Sequence, residues 1–269
     1  MIDAAIFYLE MGWLNRLFLH VGEGKRTDAR SKAEFPFLES RGLALPGVVI
    51  IHGIALTKKD FKTMARNDMY LVWSPKTNDV LYGETADVVC ALKAGVTVAL
   101  GPDWSITGSD NLLEELKVAH DSLKGAITPR QLFKMATSDA AKVAGVEGLL
   151  GRIEVGYKAD LFLAPRLDSD PYKSLLKTYS KDIELVLIGG KPLYGKRQLM
   201  RDLSDPAELD EITVSHKKKA IDLIEPAMGQ KGLEHYHDVV DPLKGVIEEI
   251  APLVEDEPRG HPGFPRRLP

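Results

Sequence analysis

One cysteine, Cys90, is all that the sequence offers. An internal disulfide framework and a cysteine-built zinc cluster are therefore both excluded, and a reducing, cytoplasmic setting is expected. The first residues are not expected to act as a secretory leader, because MIDAAIFYLEMGW places Asp3 and Glu10 where positive charge and an unbroken apolar core would have to stand. No apolar run reaches the ~20 residues that a bilayer span requires. The longest, from Leu43 to Leu56, is interrupted by Pro46, Gly47, His52 and Gly53. Basic excess is wanting too. Thirty-five Lys and Arg face 39 Asp and Glu for a net charge of −4, which argues against nucleic acid as a partner. Internal repeats, heptad runs and a glycine-rich phosphate motif are also lacking.

What is present is an ordinary globular mixture, 44% hydrophobic and 28% charged over 269 residues, enough for one large α/β domain or two smaller ones. Short Val, Ile and Leu runs alternate with longer amphipathic stretches, the pattern of parallel strands buried on both faces and joined by helices. The strands are expected at Leu17 to Val21, Val48 to His52, Met69 to Trp73 and Val96 to Leu100. Helices are expected over Asp28 to Arg41, Thr57 to Asn67, Thr85 to Ala94, Asn111 to Leu123 and Thr128 to Ala144, the last opened by a Thr-Pro pair suited to a cap and first turn. After Gly145 the pattern changes. LLGRIEVGYKADLFLAP suggests an antiparallel hairpin, and Ile183 to Ile188 with Pro192 to Tyr194 suggests another across Gly189-Gly190. The expected plan is a strand-helix region over 1–145, a β-rich segment over 146–200, a charged helical tail over 201–257 and a disordered, proline-rich end over 258–269.

Three expected strands deliver ionisable groups to equivalent ends: His20 with Glu23 in LFLHVGEG, His52 in VVIIHG, and Asp103 in VALGPDW. In a parallel barrel that edge is where loops build the active site. Histidine is the commonest metal ligand, a carboxylate can complete a set, and an unligated Glu can serve as a base on metal-bound water. Taken singly, each residue has a plainer role: a backbone-bonded histidine, a solvated loop carboxylate at Glu23, a turn or helix cap at Asp103. Their joint placement is what points to a site.

With SPKTNDVLYG (Ser74 to Gly83), AGVTVALGPDWS (Ala94 to Ser105) and LLGRIEVGYKADLFLAP, these residues resemble the second half of the metal-dependent amidohydrolases, over about Leu17 to Gly195. The subgroup resembled is that of triazine hydrolases, guanine deaminase and adenosine-type deaminases. The resemblance implies strands five to eight of a (β/α)8 barrel followed by part of a small β-sandwich. It implies that His20 and Asp103 bind a divalent metal, zinc or alternatively iron, with His52 near enough to assist. His52 would orient the attacking water, Asp103 would take its proton, and Glu23 would pass a proton to the substrate's nitrogen. The implied substrate is a small nitrogen heterocycle, opened at a C–N or C–Cl bond. Tyr82, Trp73 and Trp104 would line the pocket, with Ser105 to Asn111 as a substrate-side loop or, alternatively, a segment whose Asp110 caps a helix.

The family opens its first strand with a His-x-His pair, and none lies upstream of His20, which only 19 residues precede. The pair that does occur, His235-Tyr236-His237, lacks the strand-then-loop setting and is expected at the surface. The expectation is thus an incomplete enzyme whose partner is a missing N-terminal half or a second copy in a homodimer. A non-catalytic scaffold or relic is the alternative from another class, and a doubly wound binding domain a third.

Overall fold

Four apolar runs become four parallel strands in the computed structural model, which describes residues 2–123, 125–223 and 235–255. These are β1 (Leu17–Val21), β2 (Val48–His52), β3 (Tyr70–Trp73) and β4 (Thr97–Leu100), side by side in chain order. Leu17 stands opposite Val48, Val49 opposite Tyr70, and Tyr70 opposite Thr97, so all four strands end at one rim.

Helix α1 (Ile2–Glu10) leads into β1, α2 (Ala29–Ser40) and α3 (Lys58–Arg66) connect the next strands, and α4 (Pro75–Tyr82) with α5 (Val88–Ala94) joins β3 to β4. Then follow α6 (Leu112–Ser122), α7 (Pro129–Ala136) and α8 (Ser138–Ala144). The boundaries follow local chemistry. Asp28 accepts from the backbone of Arg30 and Ser31, and Thr57 and Thr128 each form a reciprocal capping box. Gly83, Gly95 and Gly145 end their helices in the left-handed conformation.

One face of the sheet, with Val48, Ile50, Leu71, Trp73, Val98 and Leu100, is buried in a cluster with Phe35, Phe61, Met64, Leu116 and Leu132 from the helices. On the other face Val49 and Ala99 pack with Val143 of α8. Arg16 fixes that helix at its C-terminal end, donating from Nε to Val143 O at 3.1 Å and from Nη2 to Lys142 O at 2.8 Å, where a cation also complements the helix dipole. Burial on both faces is why β2 and β4 read as continuous apolar runs, whereas β1 leaves Phe18 and His20 exposed on its second face.

Some expectations change. The helix expected over Thr128 to Ala144 is two, broken at Thr137, and the one expected from Thr85 starts at Val88 after its cap Asp87. The hairpin expected in LLGRIEVGYKADLFLAP is not formed. Gly148, Gly151 and Gly156 adopt positive φ there, which turns the chain instead of extending it, leaving one isolated bridge and the short strand β5 (Leu161–Leu163). Helix α9 (Pro171–Lys177) follows, and this first unit runs to Ile183.

The second unit begins at Glu184. Its strands β6 (Leu185–Ile188) and β7 (Lys191–Lys196) form the hairpin expected across Gly189-Gly190, followed by α10 (Arg197–Leu203). The charged stretch expected to be helical from Asp205 is corrected: β8 (Asp210–Val214) and β9 (Lys217–Ile221) form an antiparallel hairpin, and β9 also pairs with β7. Ser215 and His216 at positive φ make its turn, and β-branched Ile212, Thr213 and Val214 favour the strand over the helix that the charges suggested. Leu185, Met200 and Ala220 form this unit's small core, and α11 (Tyr236–Glu255) is the helical part of the expected tail. The proline-rich end lies outside the described residues. No helix among the described residues is long and apolar enough to cross a membrane.

Candidate functional site

Parallel pairing brings His20, Glu23, His52 and Asp103 to the same rim of the β1–β4 sheet. The rings of His20 and His52 lie 5.3 Å apart, centroid to centroid. His52 Nε2 stands 3.6 Å from Glu23 Oε2 and 3.7 Å from Asp103 Oδ2, between two carboxylates that are each about 30% exposed while the ring itself is 1% exposed.

Strict alternation along β2 would send residue 52 with Val48 and Ile50 to the helix-covered face. Instead His52 takes φ +70°, a left-handed conformation that costs a non-glycine residue about 1–3 kcal/mol, and its ring comes beside that of His20. Neighbouring backbone holds the distortion: Gly53 N–H donates to Val21 O at 3.1 Å and Ala55 N–H to Gly22 O at 3.0 Å. The ring's Nδ1 lies 2.9 Å from Asn78 Oδ1.

Glu23 sits on a loop tied down at several points. Gly22 N–H donates to Glu34 Oε2 at 2.6 Å, Arg26 N–H to Glu84 Oε2 at 3.0 Å, and the Tyr82 hydroxyl to Glu23 Oε1 at 3.0 Å. Gly22 has φ +68°, and a Cβ there would fall 2.5 Å from Leu56 Cδ1. Gly22→Ala is therefore expected to lower stability by about 1–3 kcal/mol, read by denaturant unfolding. Burial, then the bond to Glu23, pushes the Tyr82 hydroxyl up to about 12, so it keeps its proton and donates throughout the neutral range. A free tyrosine ionises near ~10. Tyr82 thus favours the folded state below about pH 10 and loses that contribution as pH rises to about 12; Tyr82→Phe should flatten this part of the stability profile in thermal unfolding.

Asp103 makes the turn contact expected of it and also approaches His52. Its Oδ1 accepts from Trp104 N–H at 2.7 Å and closes the turn, while Oδ2 faces His52. Trp104, 68% exposed, stands beside it at the rim. Trp73 is not a lining residue: it is buried in the core, its indole N–H donating to Thr85 Oγ1 at 2.6 Å. The cap of α6 is Asn111, which accepts from Glu114 N–H, and not Asp110. His235 and His237 belong to the second unit, paired with Asp210 at 3.2 Å and Asp241 at 3.8 Å. Asn78, given no role by the sequence, and Tyr82, expected to line the pocket, lie four apart on α4 and each touch one of the expected site residues.

Histidine and carboxylate are the donors a divalent metal takes. Among the described residues, however, no three His, Cys, Asp or Glu are grouped so as to hold an ion. His20 and His52 with the carboxylates of Glu23 and Asp103 are donors of the right type at one rim, short of such a group.

The chain is 31% identical over 202 residues to a 5-methylthioadenosine/S-adenosylhomocysteine deaminase of Aquifex aeolicus, a match covering 68% of this chain and 46% of that protein. An adenosine deaminase from Xanthomonas campestris with bound zinc superposes with a TM-score of 0.65 at 21% identity, over 76% of this chain and 50% of that one. For E. coli guanine deaminase the TM-score is 0.61 at 19% identity, over 73% and 51%. The chain therefore spans about half the length of the relatives it matches, and the solved structures show that its fold is of their TIM-barrel type. Residues 17–193, which hold all four strands and the whole rim, match the model of the amidohydrolase family, and the chain belongs to that family.

Proposed function

We propose that this chain carries strands five to eight, and the proton-handling half of the site, of a metal-dependent hydrolase that deaminates a small nitrogen heterocycle in the cytoplasm. The observation that carries the reading is the buried His52 ring set between the carboxylates of Glu23 and Asp103. The matched Aquifex protein deaminates 5-methylthioadenosine and S-adenosylhomocysteine, and the two structural neighbours act on adenosine and guanine, which supports an aminopurine as the substrate class.

Hydrolytic deamination requires that water lose a proton as its oxygen attacks the ring carbon, and that protons reach the ring nitrogen and the departing amine. Asp103 Oδ2 takes the first proton. Glu23, held by Tyr82 through Oε1, passes one proton from Oε2 to the ring nitrogen and recovers one from the hydroxyl left on the ring carbon, the proton held by Asp103 goes to the departing amine, and His52 orients the water through Nε2. A divalent metal, zinc in this reading, would, when bound, lower the pKa of the attacking water toward ~7. His20 and Asp103 would hold it with His52 assisting, and further ligands would come from polypeptide beyond these residues.

The test joins the chain to the first barrel half of the Aquifex relative and measures ammonia release from 5-methylthioadenosine and adenosine with zinc present. Release by the joined protein, and by neither half alone, is expected. A folded, zinc-loaded joined protein that releases ammonia from no aminopurine would contradict the reading. The chain by itself is expected to retain well under one zinc per molecule after gel filtration, by elemental analysis, because catalytic zinc usually takes three protein ligands plus water. One tightly held ion per chain would contradict this expectation.

A further inference from the structure

Asn78 is wholly buried, 0% exposed, at the middle of a helix whose last residue, Tyr82, bonds Glu23, and the chemistry above makes no use of it. A buried amide must satisfy both its ends. Its Oδ1 lies 2.9 Å from His52 Nδ1 and its Nδ2 lies 3.2 Å from Thr85 Oγ1. The same Thr85 oxygen receives the indole N–H of Trp73 at 2.6 Å. An indole nitrogen can only donate, so Thr85 Oγ1 is an acceptor at that contact, with a second lone pair for the amide's NH2. The carbonyl end of the amide is then left for His52, and a carbonyl can only accept.

We infer that Asn78, oriented by Thr85 and Trp73, is a positioning residue that fixes the His52 ring with a hydrogen on Nδ1 and turns Nε2 toward Glu23 and Asp103. The inference rests on the reading of His52 as a site residue. It also accounts for how His52 keeps φ +70° at a strand end, since the bond from Nδ1 anchors the tip of a side chain whose backbone is strained. Helix α4 is itself firmly seated: its Lys76 N–H donates to Oε1 of the buried Glu115 at 3.2 Å, and Gly83 closes its other end. With the amide reversed and the Thr85 hydroxyl donating to it, Nδ1 would be a bare acceptor.

Long-range proton–nitrogen correlation spectra of the imidazole rings separate a protonated ring nitrogen from a bare one. The His52 signals are identified by their disappearance in His52→Asn. The expected result is a protonated Nδ1 in the native protein. Asn78→Leu, similar in size but without an acceptor, should lose that fixed N–H and give averaged signals from both tautomers. Asn78→Asp, which keeps the acceptor, should restore it, and Thr85→Val, which frees the amide to reverse, should reproduce the loss should the leucine variant not fold. A bare Nδ1 in the native ring, or a protonated Nδ1 unchanged in folded Asn78→Leu or in Thr85→Val, overturns the inference. The readout is the place of a proton and not turnover, so its failure is distinct from failure of the ammonia assay.

Discussion

Glu23→Gln in the joined protein is expected to lower the rate of ammonia release by about 10²–10⁴-fold with KM little changed, the range by which a positioned acid–base group contributes. Glutamine keeps an oxygen for the Tyr82 hydroxyl, so the loop geometry survives and only the exchangeable proton is removed. The side chain is partly open to water, with 29% of its surface exposed, so unfolding stability should stay within about 0.5 kcal/mol of the parent. Steady-state kinetics beside a denaturant titration reads both effects. A rate within about threefold of the parent would remove Glu23 from the chemistry.

Self-association is the second large effect expected. Among the described residues β1 and β4 of the four-stranded sheet each pair with a strand on one side only, and unpaired edges take whatever strand is available. Phe18 on β1 is 46% exposed, and Phe7, Tyr8 and Trp13 form an exposed aromatic group on and after α1, with ring centroids 5.8 Å apart. Apolar surface of this kind drives association. Two copies closing about a two-fold axis would double the mass seen by light scattering, and open-ended pairing would give a broad, larger distribution. Phe18→Lys should shift either population toward single chains. A monodisperse monomer at micromolar concentration would contradict this account of the edges.

The four parallel strands were legible as short apolar runs, which burial on both faces forces in β2 and β4, and each begins and ends within a residue of its expected place. Helices α2, α3 and α6 were legible from Asp28, Thr57 and Asn111, whose short polar side chains satisfy first-turn N–H groups. Helix α4 was not. Its eight residues give no apolar period, and only Ser74-Pro75 before it and Gly83 after it mark its ends, yet it carries Asn78 and Tyr82. The placement of Trp73 could have been found from parity, since it shares the helix-covered face of β3 with Leu71. The left-handed turn at His52 leaves no trace in spacing: the sequence shows a histidine at a strand end, and only the backbone shows how it reaches the rim. In β8 and β9 the charges concealed two strands, of which β8 alternates in exposure, while β9 is exposed at Lys217 and Lys218 and buried at Lys219 and Ala220.

The most direct test of the central claim, that His20 and His52 share one incomplete metal-binding and proton-handling rim, is a zinc titration of the chain followed through the ring signals of its seven histidines. The account predicts that the His20 and His52 signals move together, with weak affinity, while those of His120, His216, His235 and His237 stay in place. Zinc that moves His235 and His237 and leaves His20 and His52 unchanged would contradict it.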